Sequence, residues 1–355
     1  MKTAARTNTK PEAARIPTLR LPTGMRDHAP RAAAARLRVI ETVLGVFDRA
    51  GFDRVITPAF EYEEVLALGL GAAARAVTVR FVEPSSGQVV ALRPDITPQI
   101  ARLIATRFRD QTGPVRLCYE GTVVRLDRAA RGQRELSQAG VELAGLAGPD
   151  GDAEVIALGV EALKAVGLPR PTIDLGHLGL ARELLGALNL SEIALEGVRR
   201  AVAKRDSAGL DAALRSVRGA RPVVELVRLL PELSGSPDVL ATAARKAPTA
   251  GVKRALSELA AIVAAVEARG VAARLHVDLG EVRGFDYYTG VRFQAFVPGA
   301  PDAVLRGGRY DDLLARYGRP SPAVGFAVDV EAVAVALESD DAHPVPKTRP
   351  TRSKD

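Results

Sequence analysis

Leu37, Ile40, Leu44 and Phe47 recur at the spacing of one helix face, which predicts a helix within 31–50 that ends at Gly51. A strand, Arg54 to Thr57, follows and is stopped by Pro58. Val77 to Val82 and Gln88 to Leu92 alternate around Ser85-Ser86-Gly87 and predict a hairpin. Thr97 to Arg107 reads as a helix, and Val115 to Tyr119, Gly121 to Leu126 and Gly140 to Leu143 as strands. The charged stretch Asp127 to Gln133 is expected to be a loop, and Ala153 to Val166 a helix. From about 180 to 270 the chain is rich in Ala, Leu and Arg at helical spacing, punctuated by Pro222, Pro231, Pro237 and Pro248, and is expected to be a helical insertion. Strands resume at Leu275 to Leu279 and Val291 to Phe296, and a last helix is expected over Asp329 to Leu337. The pattern predicts an α+β fold, an antiparallel sheet flanked by helices. The alternating order of a doubly wound sheet is absent, as are P-loop and GxGxxG sequences.

Composition narrows the function classes. The 355 residues are 47% apolar, enough for a large core. The single cysteine, Cys118, excludes an internal disulfide and any cysteine-based zinc cluster, and its apolar surroundings, Val115 to Tyr119, point to buried core. His28, His177, His276 and His343 are too scattered to suggest a metal site. The net charge is +7. Residues 1–20 carry five cations (Lys2, Arg6, Lys10, Arg15 and Arg20) against Glu12. Over half of the excess therefore lies on a basic segment expected to be a disordered tail, which argues for solvation rather than nucleic-acid binding. Residues 338–355, polar and proline-containing, are expected to be a second disordered tail. The start has no apolar secretory core and no stretch approaches a membrane span, so a soluble cytoplasmic protein is expected.

Four blocks carry candidate chemistry. Arg283-Gly284-Phe285-Asp286-Tyr287-Tyr288-Thr289-Gly290 gathers an arginine, a carboxylate and two phenols, which fits either a ligand site or a hairpin with structural aromatics. In Leu92-Arg93-Pro94-Asp95-Ile96-Thr97, Asp95 and Thr97 stand at the mouth of a helix, where capping is the plain alternative to ligand binding. Arg125 can grip a carboxylate or phosphate at two points. Gln138 and Glu142 interrupt an apolar run; in a strand they share one face with Gly140 between them, and a buried pair of that kind needs partners. The fourth block is Gly307-Gly308-Arg309-Tyr310-Asp311 followed by Pro322-Ala323-Val324-Gly325-Phe326.

Together the blocks resemble the histidyl-tRNA synthetase family of class II aminoacyl-tRNA synthetases over about residues 21–337. Pro58 resembles the dimer-forming motif 1, Val124-Arg125-Leu126-Asp127 motif 2, and Pro322 to Val333 motif 3. The resemblance implies a histidine site of Asp95 (where the family has Glu), Thr97, Arg125, Gln138, Glu142, Arg283, Tyr287 and Tyr288. It implies that Asp95, Gln138 and Arg125 handle the amine and carboxylate, while Glu142 and the tyrosines surround the imidazole. Arg283 resembles the arginine that assists attack on ATP.

The departures fall on the nucleotide side. Ala332 replaces the family's nucleotide-holding arginine, Asp329 its glycine, Leu136 the adenine-stacking phenylalanine and Ser137 the histidine that follows it. A triphosphate needs cations, and each charged hydrogen bond is worth roughly 1.5–3 kcal/mol. Only 23 residues follow Ala332, so the synthetases' anticodon-binding domain is not expected. This pattern resembles a paralogous family, the regulatory subunits of ATP phosphoribosyltransferase. That resemblance implies no chemistry on the chain itself, no cofactor, a short-form catalytic partner, a homodimer within a hetero-oligomer, and feedback inhibition by free histidine in histidine biosynthesis. A vestigial pocket, with histidine bound at the subunit interface, is one alternative. A shortened ligase forming histidyl-adenylate and a tRNA-binding regulator are the others.

Overall fold

The computed structural model describes residues 19–126, 132–282 and 287–342. The chain opens with α1 (Pro30–Arg49), β1 (Asp53–Arg54), β2 (Phe60–Tyr62), α2 (Glu63–Gly69) and α3 (Ala72–Ala76), then β3 (Arg80–Val82), β4 (Val89–Leu92) and α4 (Thr97–Arg107). Next come β5 (Val115–Val124), β6 (Glu135–Ala144), α5 (Pro149–Ala165) and β7 (Thr172–His177). The stretch read as an insertion holds α6 (Leu178–Gly186), α7 (Glu192–Ala203), α8 (Ser207–Leu214), α9 (Arg221–Leu229), β8 (Ser234–Gly235), α10 (Val239–Arg245) and α11 (Ala250–Ala268). The chain then forms β9 (Arg274–Asp278), β10 (Val291–Phe296), β11 (Leu305–Arg309), a 3-10 turn at Leu314–Tyr317, β12 (Ala323–Asp329) and α12 (Val330–Ala342).

Nine strands form one sheet in the order β1-β5-β6-β12-β11-β10-β7-β9-β8, antiparallel except for the parallel pairs β1–β5 and β7–β9. A second sheet, β2-β4-β3, contains the expected hairpin plus one further strand. The α+β architecture expected from the sequence is the one observed.

α1 starts with proline in its first turn and ends before Gly51, whose φ of +79° suits glycine. Its buried face is Val39, Val43, Leu44, Val46 and Phe47. Leu37, read as part of that stripe, is 57% exposed, because the smaller valines one turn around the helix face the sheet and α5. The helices between 178 and 268 are delimited by their capping residues. Ser191, Asp206 and Thr249 each accept a backbone N–H three residues on, and Pro222 lies in the first turn of α9. Their buried residues, among them Val198, Val227 and Leu259, belong to the same apolar cluster as Phe47, Val141 and Phe326 of the sheet layer.

Several boundaries differ from expectation. The strand expected over Arg54 to Thr57 is two residues long, and Thr57 instead anchors the Arg93 guanidinium through its carbonyl and hydroxyl, both at 3.0 Å. The two strands expected at 115–126 are one, β5, unbroken at Gly121; a Cβ there would run into that guanidinium. Strands β7, β11 and β12 were not among the expected elements, although Thr172, Ile173, Asp174 and Leu175 of β7 alternate polar and apolar. Asp329 ends β12 rather than starting the last helix, and α12 continues to Ala342, into the stretch read as a tail. The remainder of the expected tails, 1–18 and 343–355, and most of the expected loop, 127–131, lie outside the described residues.

Candidate functional site

Strand alternation places Gln138 and Glu142 on one face of β6, with Gly140 between them as expected. The neighbouring strand is in register, with Gly325 opposite Glu142, Ala327 opposite Gly140 and Asp329 opposite Gln138. Gly140 has no room for a side chain, since a Cβ would meet the Phe326 carbonyl and, at 2.6 Å, the Tyr119 hydroxyl. That absence lets Tyr119 cross β6 and reach Glu142.

Over this face opens a cavity of about 350 Å³. It is lined by Asp95, Thr97, Arg125, Gln138, Tyr287 and Tyr288, so six sequence-selected residues converge on one space. Arg93 fixes the segment ahead of α4, its Nε donating to the Thr122 carbonyl at 2.7 Å. Asp95 then turns one oxygen to the Thr97 N–H (3.3 Å) and the other to the Tyr287 hydroxyl (3.2 Å). Asp95 thus holds the N–H of the first residue of α4, whose N-cap is Ile96 with no side-chain cap, and lines the cavity at the same time. The Thr97 hydroxyl is not a cap; it donates to Glu142 Oε1 at 2.7 Å. Arg125 is anchored by its Nε on the Pro94 carbonyl at 2.7 Å. The Tyr287 and Tyr288 rings pack with centroids 4.6 Å apart, and Tyr310 meets Tyr287 edge-on at 5.8 Å. Gly308 makes space for the Tyr288 ring, which a Cβ would approach to 2.7 Å.

Glu142 is placed differently from the other sequence-selected residues. It is 2% exposed, beneath the cavity floor. Oε1 accepts from Thr97 and from Tyr119 (3.3 Å), and Oε2 accepts from Tyr310. Burial pushes its carboxyl up to about 8, while the three hydroxyls pull the other way. Burial also raises the phenols of Tyr119, Tyr287 and Tyr310, and Tyr288 to about 12, so they stay protonated donors at neutral pH. Gln138 Oε1 is buried with no hydrogen-bond partner. Arg283 lies outside the described residues.

Positions 136, 137, 329 and 332, where the sequence departs from the synthetase pattern, are also placed. Ala332 is 0% exposed and packs in the apolar core instead of facing the cavity. Asp329 lines the cavity and caps α12, accepting the Ala332 N–H at 2.8 Å. Glu331 accepts the Ser137 N–H at 2.9 Å and pairs with Arg36 at 3.5 Å, behind Leu136, which lines the cavity.

Sequence reasoning missed Tyr119 and Tyr310 as parts of the site, and Asp302 and Arg306 in its wall, where they pair at 2.6 Å. Tyr310 lies in the fourth block. Its neighbour Arg309 locks that block in place through Asp152 (2.8 Å) and Asp311 (2.9 Å), and Asp311 N–H reaches Thr289 Oγ1 at 2.9 Å. Tyr119 has the look of ordinary apolar strand, and Asp302 and Arg306 precede the glycine pair without a pattern of their own.

Comparisons with known proteins give the family of the chain. The sequence profile of the histidyl-tRNA synthetase family matches residues 24–333. The chain is 42% identical over 330 residues to an ATP phosphoribosyltransferase regulatory subunit of Geobacter metallireducens, covering 93% of this chain and 76% of that one. A protein of the same description from Anaeromyxobacter dehalogenans is 45% identical over 323 residues, covering 90% and 92%. Among solved structures, an ATP phosphoribosyltransferase regulatory subunit/histidyl-tRNA synthetase from Bacillus halodurans superposes with a TM-score of 0.82 at 29% identity, over 91% of this chain and 84% of that one. By these matches, and with its antiparallel-rich sheet flanked by helices, the chain belongs to the family of ATP phosphoribosyltransferase regulatory subunits, which shares the histidyl-tRNA synthetase fold.

Proposed function

We propose that this chain is the non-catalytic partner of a short-form ATP phosphoribosyltransferase catalytic subunit, at the first step of histidine biosynthesis, and that its cavity binds free histidine as the feedback signal. The observation that carries the histidine reading is Gln138 Oε1, a buried acceptor with no partner, in a cavity that also holds the Asp95 carboxylate and the Arg125 guanidinium. An orphaned buried acceptor costs about 1–3 kcal/mol, which a ligand ammonium recovers. Asp95 suits the same ammonium, Arg125 the carboxylate, and the phenols a ring with one donor and one acceptor.

Asp329 speaks against a triphosphate in the adjoining space, since it puts a carboxylate at the α12 N-terminus where an anion would otherwise be welcome. Regulation then follows as coupling: histidine favours one state of the assembly and shifts the transferase towards it. A homodimer through the α1 and β1 face fits the exposed Leu37 and the 87% exposed Ile56 beside edge strand β1.

Co-expression with a short-form catalytic subunit, followed by calorimetry with histidine, tests the proposal. The expected outcome is transferase activity that needs this chain, and inhibition by histidine that is lost in Gln138→Ala and Arg125→Ala. Activity and inhibition unchanged without the chain would refute it.

A further inference from the structure

Only one oxygen of the Asp329 carboxylate is used by the fold. Oδ1 accepts the Ala332 N–H at 2.8 Å and so caps α12. Among the described residues the carboxylate accepts no other side-chain or backbone donor, yet it lines the cavity. The nearby cations are engaged elsewhere. Arg306 lies diagonal to Asp329, on β11 opposite Ala327. It gives one nitrogen to Asp302 at 2.6 Å and another to the Ala303 carbonyl at 3.1 Å. Arg36 pairs with Glu331, and Arg125 is fastened by its Nε to the Pro94 carbonyl.

The register of the sheet supplies an independent observation. Asp329 stands directly opposite Gln138 of β6, and both line the cavity. Side chains paired in this way share a face, with Cβ atoms roughly 5 Å apart. Gln138 Oε1 is the buried acceptor that has no partner. A carboxylate oxygen and an orphaned amide oxygen therefore stand side by side with no donor between them, and neither can satisfy the other. The charge on the described lining points the same way. Asp302 and Arg306 cancel as a pair, which leaves Asp95 and Asp329 against Arg125.

We infer that Asp329 is a specificity-determining residue: with Gln138 it seats the protonated amine of the ligand, so the cavity selects α-amino compounds and rejects anions of similar shape. An ammonium carries three donors, enough for Gln138 Oε1 and the second Asp329 oxygen with one to spare. The inference rests on the reading of the cavity as a histidine site. It adds that the carboxylate which starts the last helix also reads the charge of the ligand.

The test compares three ligands that share one ring, by calorimetry on the full-length chain at pH 7. Histidine carries amine and carboxylate, histidinol the amine without the carboxylate, and imidazolepropionate the carboxylate without the amine. Asp329→Asn and Asp329→Ser both remove the charge while keeping an oxygen that can cap α12. Either one serves once its thermal transition lies within a few degrees of wild type. In these variants histidine and histidinol should bind about 10- to 100-fold more weakly, the range of one charged hydrogen bond. Imidazolepropionate should bind as well as it does to wild type, or better, because a like charge has been removed.

Equal weakening of all three ligands, or of none, would overturn the inference. Asp329 would then be a helix cap only, and the histidine site would still stand. Failure of wild type to bind either histidine or histidinol would overturn both.

Discussion

At the scale of single residues, the site depends on side chains that are absent. A Cβ on Gly325 would land on Glu142 Oε2 and the Val141 carbonyl, neither of which can withdraw. Gly325→Ala should therefore destabilise the fold by about 1–3 kcal/mol and abolish histidine binding. Urea denaturation and calorimetry check the two effects. Gly197 is the contrast: it lies inside α7 with nothing within 4 Å of its added Cβ. Gly197→Ala should stabilise by about 0.5–1 kcal/mol through helix propensity alone. The same glycines explain what a linear reading of the site could recover. Gln138 and Glu142 were legible because strand alternation fixes their face. That Glu142 would lie below the floor was not, because its depth is decided by Gly325, Tyr119 and Tyr310, all remote in sequence.

At the scale of elements, Asp329 joins a strand to a helix. It is the last residue of β12, and its carboxylate holds the third N–H of α12. Asp329→Ala should cost about 0.5–2 kcal/mol as a lost helix cap, whereas Asp329→Asn, which keeps an acceptor, should cost less; thermal unfolding of the pair distinguishes cap from charge. Elements with a regular period were readable: α4 and β10 match their expected limits, and the β3–β4 hairpin its expected pairing. β11 and β12 escaped because glycines occupy the positions where β-branched residues would signal a strand. Gly307 lies against Phe293 and Phe326, and Gly308 against Tyr288, so those glycines serve close packing rather than a turn. Tertiary demands overrode local preference there. Of the expected α1 stripe, Leu44 and Phe47 are buried and Ile40 packs against the core, whereas Leu37 borders a groove beside β1.

At the scale of the whole molecule, one continuous apolar cluster joins the sheet layer to the helices between 178 and 268, so those helices and the sheet bury their apolar residues together. Among the described residues no helix is long and apolar enough to cross a membrane. Phe60, Phe81, Val82 and Val89 of the second sheet are exposed apolar residues, as are Leu37 and Ile56 beside the short edge strand β1. If that face joins two copies, as proposed, Ile56→Arg should convert the dimer to a monomer at micromolar concentration, read by sedimentation equilibrium, while leaving the thermal transition within a few degrees of wild type. A dimer unaffected by Ile56→Arg would place the contact elsewhere.

The capping of α12 by Asp329 also limits what the start of that helix tolerates. Glycine at 329 would remove the acceptor for the Ala332 N–H without supplying a cation. Arginine at 332 would keep that backbone N–H but place a guanidinium where Ala332 is wholly enclosed by apolar neighbours, at a cost of several kcal/mol. The two penalties have separate causes, a lost cap and a buried charge, so a cation cannot be added at this helix start by either substitution without loss of stability.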